Sequence, residues 1–94
     1  MNYLWNQAWT LFEGKKYDEA LPIMETAARK APANPEVLYD LAVIRLSAKK
    51  KAEALETLRM AVTLSPKLKK QAAVDNDLRD LKDDPGYRKI IGEK

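Results

Sequence analysis

The feature that most constrains this chain is a sequence repeat with a period of 34 residues. The segments 17–32 and 51–66 have closely similar sequences, and each of them ends at a proline. Residues 1–34 aligned over residues 35–68 share nine identities. The identical pairs include Ala8/Ala42, Ala20/Ala54, Ala27/Ala61 and Pro32/Pro66. Self-similarity at a fixed period of this length is typical of stacked helical hairpins, in which each unit buries its apolar face against a neighbour.

Apolar residues within each unit recur at the spacing of an α-helix. Leu4, Ala8 and Leu11 stand at i, i+4 and i+7, so they share one face of a helix. Alanine recurs at Ala8, Ala20 and Ala27 because small side chains let two helix backbones approach closely. The pattern predicts helices at about 2–13, 18–31, 35–48 and 52–64.

Residues between these stripes mark where helices start and stop. Gly14 and the lysines after it separate the first two helices. Asn34 followed by Pro35 predicts an N-cap and a first helical residue, and Ser65 followed by Pro66 predicts another.

The two units resemble the tetratricopeptide repeat family over residues 1–68. The matching positions are Leu4, Ala8, Tyr17, Ala20, Met24, Ala27 and Pro32, then Leu38, Leu41, Ala42, Ala54, Leu58, Ala61 and Pro66. The resemblance implies an all-α fold: a right-handed α-solenoid of two antiparallel helical hairpins, followed by a capping helix and short C-terminal helices. The chain departs from the family where Lys15 and Lys49 replace the usual turn glycine. It also departs at Arg45, whose stem we expect across the core edge with its head in water.

The remaining residues do not form a third unit. We expect a capping helix at 66–74 that covers the second hairpin, because solenoids need terminal caps. The apolar residues beyond it should fold back on the body of the protein; they are Leu78, Leu81, Tyr87, Ile90 and Ile91. The predicted organisation is a single domain over 1–94, with repeat one at 1–34, repeat two at 35–68, and the cap and tail at 66–94.

Aspartates in the tail invite a calcium interpretation that the loop chemistry does not support. Asp75 and Asp77 resemble the start of an EF-hand loop, but Asp80 stands where that loop has glycine and Gly86 where it has glutamate. We therefore interpret these aspartates as helix caps and as a solvated face, and we predict no metal site.

Composition argues against an enzyme. The chain contains neither cysteine nor histidine, which removes Ser/His/Asp and Cys/His catalytic sets. Its three glycines are scattered, so no glycine-rich phosphate loop can form and no cofactor is predicted.

Charge and hydropathy bear on partners and location. The net charge is only +3, and the lysines at 15–16 and 49–51 lack the interleaved aromatic residues of a nucleic-acid site. They are interpreted as a solubilising edge, with no specific nucleic-acid partner. No apolar run approaches the roughly 18 residues that span a bilayer, and the first residues do not form a signal peptide. The predicted location is cytoplasmic, without membrane insertion.

The family resemblance also implies which side chains line the concave surface, namely those at equivalent places of the first helix in each unit. They are Asn2, Trp5, Asn6, Trp9, Phe12, Glu13, Glu36, Tyr39, Asp40, Val43, Leu46 and Ser47. Helical geometry groups residues 5, 9 and 12 on a stripe apart from Leu4, Ala8 and Leu11. The family's clamp for a C-terminal carboxylate uses lysines and asparagines, and it is absent because aromatic and apolar residues occupy its places.

These side chains predict a non-catalytic protein-interaction module, a scaffold or adaptor that binds an apolar peptide or helix on its concave aromatic face. Glu13, Glu36 and Asp40 at the margin would favour a basic residue in that ligand. The alternative is a homodimer that covers the same face in a second copy. Two further interpretations stay open at this stage: a scaffold fragment without a ligand, and a C-terminal tail that covers the tryptophans.

Overall fold

A computed structural model describes residues 2–92, and the side chain of Asn2 lies outside the described part. The helices are α1 (Asn2–Glu13), α2 (Tyr17–Lys30), α3 (Pro35–Ser47), α4 (Lys51–Leu64), α5 (Leu68–Val74), a 3-10 helix (Asn76–Leu81) and α6 (Pro85–Ile90). No strand occurs among the described residues. The all-α prediction is confirmed, and each end of the four long helices lies within one residue of its predicted position.

The recurring alanines lie where helices pack together. α1 packs against α2, α3 packs against α4, and α2 joins the two hairpins by packing against α3. Six alanines of the repeat are at most 1% exposed: Ala8, Ala20, Ala27, Ala42, Ala54 and Ala61. Small side chains at these positions let the helix backbones approach closely, and Met24 and Leu58, both fully buried, fill the core between them.

Both hairpins turn through a lysine in the left-handed conformation. Lys15 has φ 63° and Lys49 has φ 68°. In the second turn the backbone N–H of Lys50 donates to Arg45 O at 2.8 Å, and that of Lys49 donates to Leu46 O at 3.0 Å. Residues 11–16 repeat this Schellman pattern of hydrogen bonds in the first turn. Lysine thus takes the conformation for which glycine is favoured.

The structure confirms one of the two predicted N-caps and corrects the other. Asn34 caps α3 as predicted, because its Oδ1 accepts from the backbone N–H of Glu36 at 3.0 Å and of Val37 at 3.2 Å. The Ser65 prediction is wrong: α5 begins at Leu68 without a side-chain cap. Ser65 contributes its backbone carbonyl instead, which accepts from the N–H of Leu68 at 3.0 Å.

The expectation that Arg45 keeps its head in water is also corrected. Its guanidinium donates to Thr57 Oγ1 on α4 at 2.5 Å and pairs with Glu25 Oε2 on α2 at 3.3 Å. The side chain is only 21% exposed, and its buried Nε has no hydrogen-bond partner among the described residues. Arg45 therefore links α3 to two neighbouring helices.

The C-terminal segment, residues 68–91, packs on the second hairpin as predicted. Its buried apolar residues are Leu68, Ala72, Leu78, Leu81 and Tyr87, and Ile90 and Ile91 pack against the same core half-buried. The 3-10 helix contacts α3, while α5 and α6 contact α4. The segment therefore closes the open end of the repeat stack.

Polar contacts fasten this segment. The Tyr39 hydroxyl donates to Asp75 Oδ2 at 2.7 Å, and the Tyr87 hydroxyl donates to Ala72 O at 2.6 Å. Asp75 and Asp84 cap the 3-10 helix and α6, which confirms their interpretation as helix caps. Asp84 also pairs with Lys51 at 2.9 Å. Hydrogen bonds to the carboxylate, from Lys51 first and then from the backbone of Tyr87, hold the pKa of Asp84 below its usual value.

The hairpin turn predicts that Lys49→Gly stabilises the protein. Glycine removes the steric penalty of the left-handed conformation, but it also loses more backbone entropy on folding. We therefore expect the free energy of unfolding to increase by a net amount of about 0.5–1 kcal/mol. Lys50→Gly is the matched control, because Lys50 has φ −108° and should lose stability. Urea denaturation measures both variants, and a Lys49→Gly protein less stable than wild type would contradict the turn geometry.

The Tyr39–Asp75 contact predicts that Tyr39→Phe costs about 1–2 kcal/mol, because it removes a hydrogen bond to a carboxylate at little change in volume. Tyr3→Phe is the control: Tyr3 is 75% exposed, so its loss of a hydroxyl should leave stability unchanged. Thermal unfolding compares the two variants. Equal melting temperatures would show that this hydroxyl does not fasten the C-terminal segment.

Candidate functional site

A ridge of aromatic side chains runs along α1 and onto the start of α2. The Trp9 and Phe12 rings stack with their centroids 4.7 Å apart, and Phe12 meets Tyr17 of α2 at 5.5 Å. Trp5 lies one turn before Trp9 on α1. All four rings are half-buried: Trp5, Trp9 and Phe12 pack against the core, and Tyr17 packs against Phe12. We call Trp5, Trp9, Phe12 and Tyr17 the aromatic ridge.

The equivalent stripe on α3 is covered by the protein itself. Tyr39 is 3% exposed and Val43 is 1% exposed, so both belong to the core. Asp75 accepts the hydrogen bond of Tyr39, and the 3-10 helix packs on α3. Only Leu46, at the end of this stripe, is half-buried. The structure therefore leaves the predicted surface open along α1 and closes most of it along α3.

Asp40 joins the ridge to α3. The Trp5 indole Nε1 donates to Asp40 Oδ2 at 2.6 Å. Burial raises the pKa of Asp40 to about 6; the Trp5 hydrogen bond opposes this, and the carboxylates of Glu36, Asp75 and Asp77 raise the pKa further. Burial, followed by the charge of Asp75, also raises the pKa of Asp77. We call Glu36, Asp40, Asp75 and Asp77 the acidic cluster, and its members repel one another.

Two cavities lie between α1, α3 and the C-terminal segment. The smaller one has a volume of about 120 Å³ and lies among Trp5, Glu36, Asp40 and Gln71. The larger one has a volume of about 460 Å³ and is lined by aromatic, basic and acidic side chains. Its lining includes Phe12, Tyr17, Leu46, Ser47, Lys49, Lys51, Asn76, Asp77, Arg79 and Asp80. Together with the exposed edges of the aromatic ridge, these cavities form what we call the inner groove.

The structure distributes the remaining predicted site residues over this region. Asn6, Glu13 and Glu36 are exposed, and Ser47 lines the larger cavity. The side chain of Asn2 lies outside the described residues.

The sequence interpretation missed one wall of the inner groove. That wall is the 3-10 helix with Asn76, Asp77, Arg79 and Asp80, and Tyr17 extends the ridge from the second helix. Tyr17 follows Phe12 across the hairpin turn, which is a signal that could have placed the two rings together. The sequence offers no comparable signal for the position of the 3-10 helix.

The carboxylates of this region serve as hydrogen-bond acceptors for neighbouring side chains. No group of three or more aspartates or glutamates among residues 2–92 is arranged to hold a metal ion. Asp40 accepts a hydrogen bond from the Trp5 indole, and Asp75 accepts one from the buried Tyr39 hydroxyl, so both carboxylates act as structural hydrogen-bond acceptors. In the described part of the chain, no helix has the length and apolar character needed to cross a membrane.

Comparison with known families agrees with this architecture. The family model of the tetratricopeptide repeat matches residues 11–75, which is well over half of the chain. The protein therefore belongs to the tetratricopeptide repeat family. Repeats of this family generally mediate protein–protein interaction and are typically non-catalytic. No curated protein and no solved structure matches the chain.

The environment of Asp40 predicts a pH-dependent stability. Its pKa is about 6 in the folded protein against 3.8 unfolded, so the folded state binds more protons between these values. The contribution of Asp40 to the free energy of unfolding is therefore fully present below about pH 4, and it is lost as the pH rises through about 6. Asp40→Asn keeps an acceptor for Trp5 and should stabilise the protein at pH 8 by on the order of 1–3 kcal/mol.

Urea denaturation of Asp40→Asn at pH 8 and at pH 4 tests this prediction, because the difference from wild type should nearly vanish at the lower pH. Asp80→Asn is the control: Asp80 is exposed on the 3-10 helix and should change stability by less than about 0.5 kcal/mol. A gain in the Asp40 variant that is equal at both pH values would contradict the raised pKa.

Proposed function

We propose that this protein is a non-catalytic interaction module whose inner groove binds a protein segment with aliphatic anchors and a basic side chain. The observation that carries the proposal is the aromatic ridge standing next to the acidic cluster. The ridge supplies apolar area and the cluster supplies negative charge. Members of both line each cavity: Phe12, Tyr17 and Asp77 the larger one, and Trp5, Glu36 and Asp40 the smaller one.

The ridge has the properties of a binding anchor. Aromatic rings bury a large area with few rotatable bonds, which is why tryptophan and tyrosine are enriched at interface hot spots. Trp9, Phe12 and Tyr17 form an unbroken series of ring contacts, so their exposed edges are held in fixed positions. When a partner covers these rings, the rings therefore lose little side-chain entropy.

The acidic cluster gives the ligand its charge preference. Asp40 is partly desolvated, and its carboxylate neighbours raise the free energy of its ionised form. A lysine or arginine of the ligand placed between Asp40 and Asp77 would relieve this repulsion. Binding of such a cation should therefore weaken as the pH falls below about 6, where Asp40 takes up a proton.

A pair of synthetic peptides tests the proposal. Both are helical, with leucine at i, i+4 and i+7; the basic peptide carries lysine at its polar positions, and the acidic peptide carries glutamate. We expect the basic peptide to bind wild type and Trp9→Ala to weaken this binding by about tenfold or more, since hot-spot truncations cost roughly 2 kcal/mol. Isothermal titration measures the affinities, and circular dichroism verifies that the variant is folded.

The control variant is Tyr3→Ala, which removes an exposed ring from the same helix on a face away from Trp9. It should bind the basic peptide like wild type. Equal affinities of Trp9→Ala and Tyr3→Ala would refute the ridge as a binding site. Light scattering of the protein alone addresses the homodimer alternative: a dimer that Trp9→Glu converts to monomer would mean that a second copy, not a separate ligand, covers the ridge.

A further inference from the structure

A second groove, which shares no lining residue with the inner groove, lies between α4 and α6. Its volume is about 640 Å³, larger than either cavity of the inner groove. α4 contributes a stripe at helical spacing that runs from Ala52 through Leu55 and Val62 to the turn at Pro66, and α6 contributes Gly86 and Ile90. We call this region the outer groove.

The floor of the outer groove is apolar and firmly placed. Val62 is 4% exposed and belongs to the core, while Leu55 and Ile90 are half-buried and pack against it. Gly86 faces Leu55: a Cβ added at Gly86 would lie 3.7 Å from Leu55 Cδ1. The start of α6 therefore packs closely on α4, and the floor does not need to form when a ligand arrives.

The rim of the outer groove is basic. Its charged side chains are Glu56, Arg59, Lys69 and Lys89, three cations against one carboxylate. Glu56 and Arg59 pair with each other along α4, which leaves the rim charge to the two lysines. Among the described residues, neither lysine forms an ion pair. The charge is opposite in sign to that of the acidic cluster in the inner groove.

The helices that line the outer groove bear on the conformation of a ligand. Helices form both walls, and neither offers a strand edge whose backbone groups could pair with an extended peptide. A helical ligand satisfies its own backbone hydrogen bonds and so needs no backbone partner from these walls. The helical part of the stripe, from Ala52 to Leu64, is about 18 Å long at 1.5 Å per residue, which matches a ligand helix of roughly 12 residues.

We propose that the outer groove binds an acidic amphipathic helix of a partner protein. Its aliphatic side chains lie on Leu55, Val62 and Ile90, and its flanking carboxylates meet Lys69 and Lys89. The protein would then hold two partners of opposite charge on two separate surfaces. This inference does not depend on the function proposed for the inner groove.

Methyl-labelled protein and the same two peptides test the proposal by NMR titration. The reporters are the methyl groups of Leu55, Val62 and Ile90, with Leu46 reporting on the inner groove. The acidic peptide should shift the three outer reporters at concentrations below about 1 mM, and the basic peptide should act there at least about tenfold more weakly.

A charge reversal sharpens the test. Lys69→Glu combined with Lys89→Glu should invert the preference, so that the outer reporters respond to the basic peptide about tenfold more strongly than to the acidic one. Lys16→Glu combined with Lys50→Glu is the matched control: it makes the same change in net charge on exposed turn residues and should keep the preference for the acidic peptide.

Four outcomes would overturn the proposal. They are no shift at the outer reporters, equal responses to both peptides, a preference that the reversal leaves unchanged, and shifts that grow with protein concentration in the absence of peptide. The last outcome would identify a second copy as the occupant. Because Leu46 and Trp9 report separately on the inner groove, failure here and failure of the proposed function can be told apart.

Discussion

The structure depends on the packing of the C-terminal segment against the second hairpin. Two helical hairpins leave an apolar face open at the end of the stack, and a short chain has little core in reserve. Leu78 and Leu81 cover that face from the 3-10 helix, and the Tyr39 hydroxyl donates to Asp75 where that helix begins. The C-terminal segment thus completes the core, and its position determines which part of the inner groove stays exposed.

Both grooves are consequences of this closure. Because the C-terminal segment lies over α3, the exposed aromatic surface is confined to α1 and the start of α2. The same packing brings Asp77 close to Asp40. Because α6 then returns to α4, a second concave surface appears with Lys89 on its rim. The same segment therefore supplies Asp75 and Asp77 to the acidic cluster of one groove, and Lys69 and Lys89 to the basic rim of the other.

The sequence predicted the parts of the fold that repeat. The periodicity of apolar residues and the Asn34–Pro35 pair placed the long helices closely, since both signals are local and independent of the tail. The stripe of residues 5, 9 and 12 was also predictable, because helical geometry alone separates it from the core stripe.

What the sequence could not predict is set by contacts between distant segments. Tyr39 and Asp75 are 36 residues apart, and no periodicity relates the tail to the helix that it covers. The burial of Tyr39 and Val43 was missed for that reason, as was the wall around Asp77. Arg45 is a similar case, because its partners Thr57 and Glu25 come from two other helices. Propensity alone also does not reveal that Lys15 and Lys49 adopt the left-handed conformation that glycine favours.

Native-state hydrogen exchange tests most directly whether the C-terminal segment closes the fold. The amides of Leu78 and Asp84 donate within this segment, to Asp75 O at 3.0 Å and to Leu81 O at 2.8 Å. If the segment is part of the cooperative core, their free energies of opening should equal those of the slowest amides in α3 and α4 within about 1 kcal/mol. The account would be contradicted if these amides opened at a free energy about 3 kcal/mol or more below that of the core. In that case the wall of the inner groove would fold and unfold independently of the repeats.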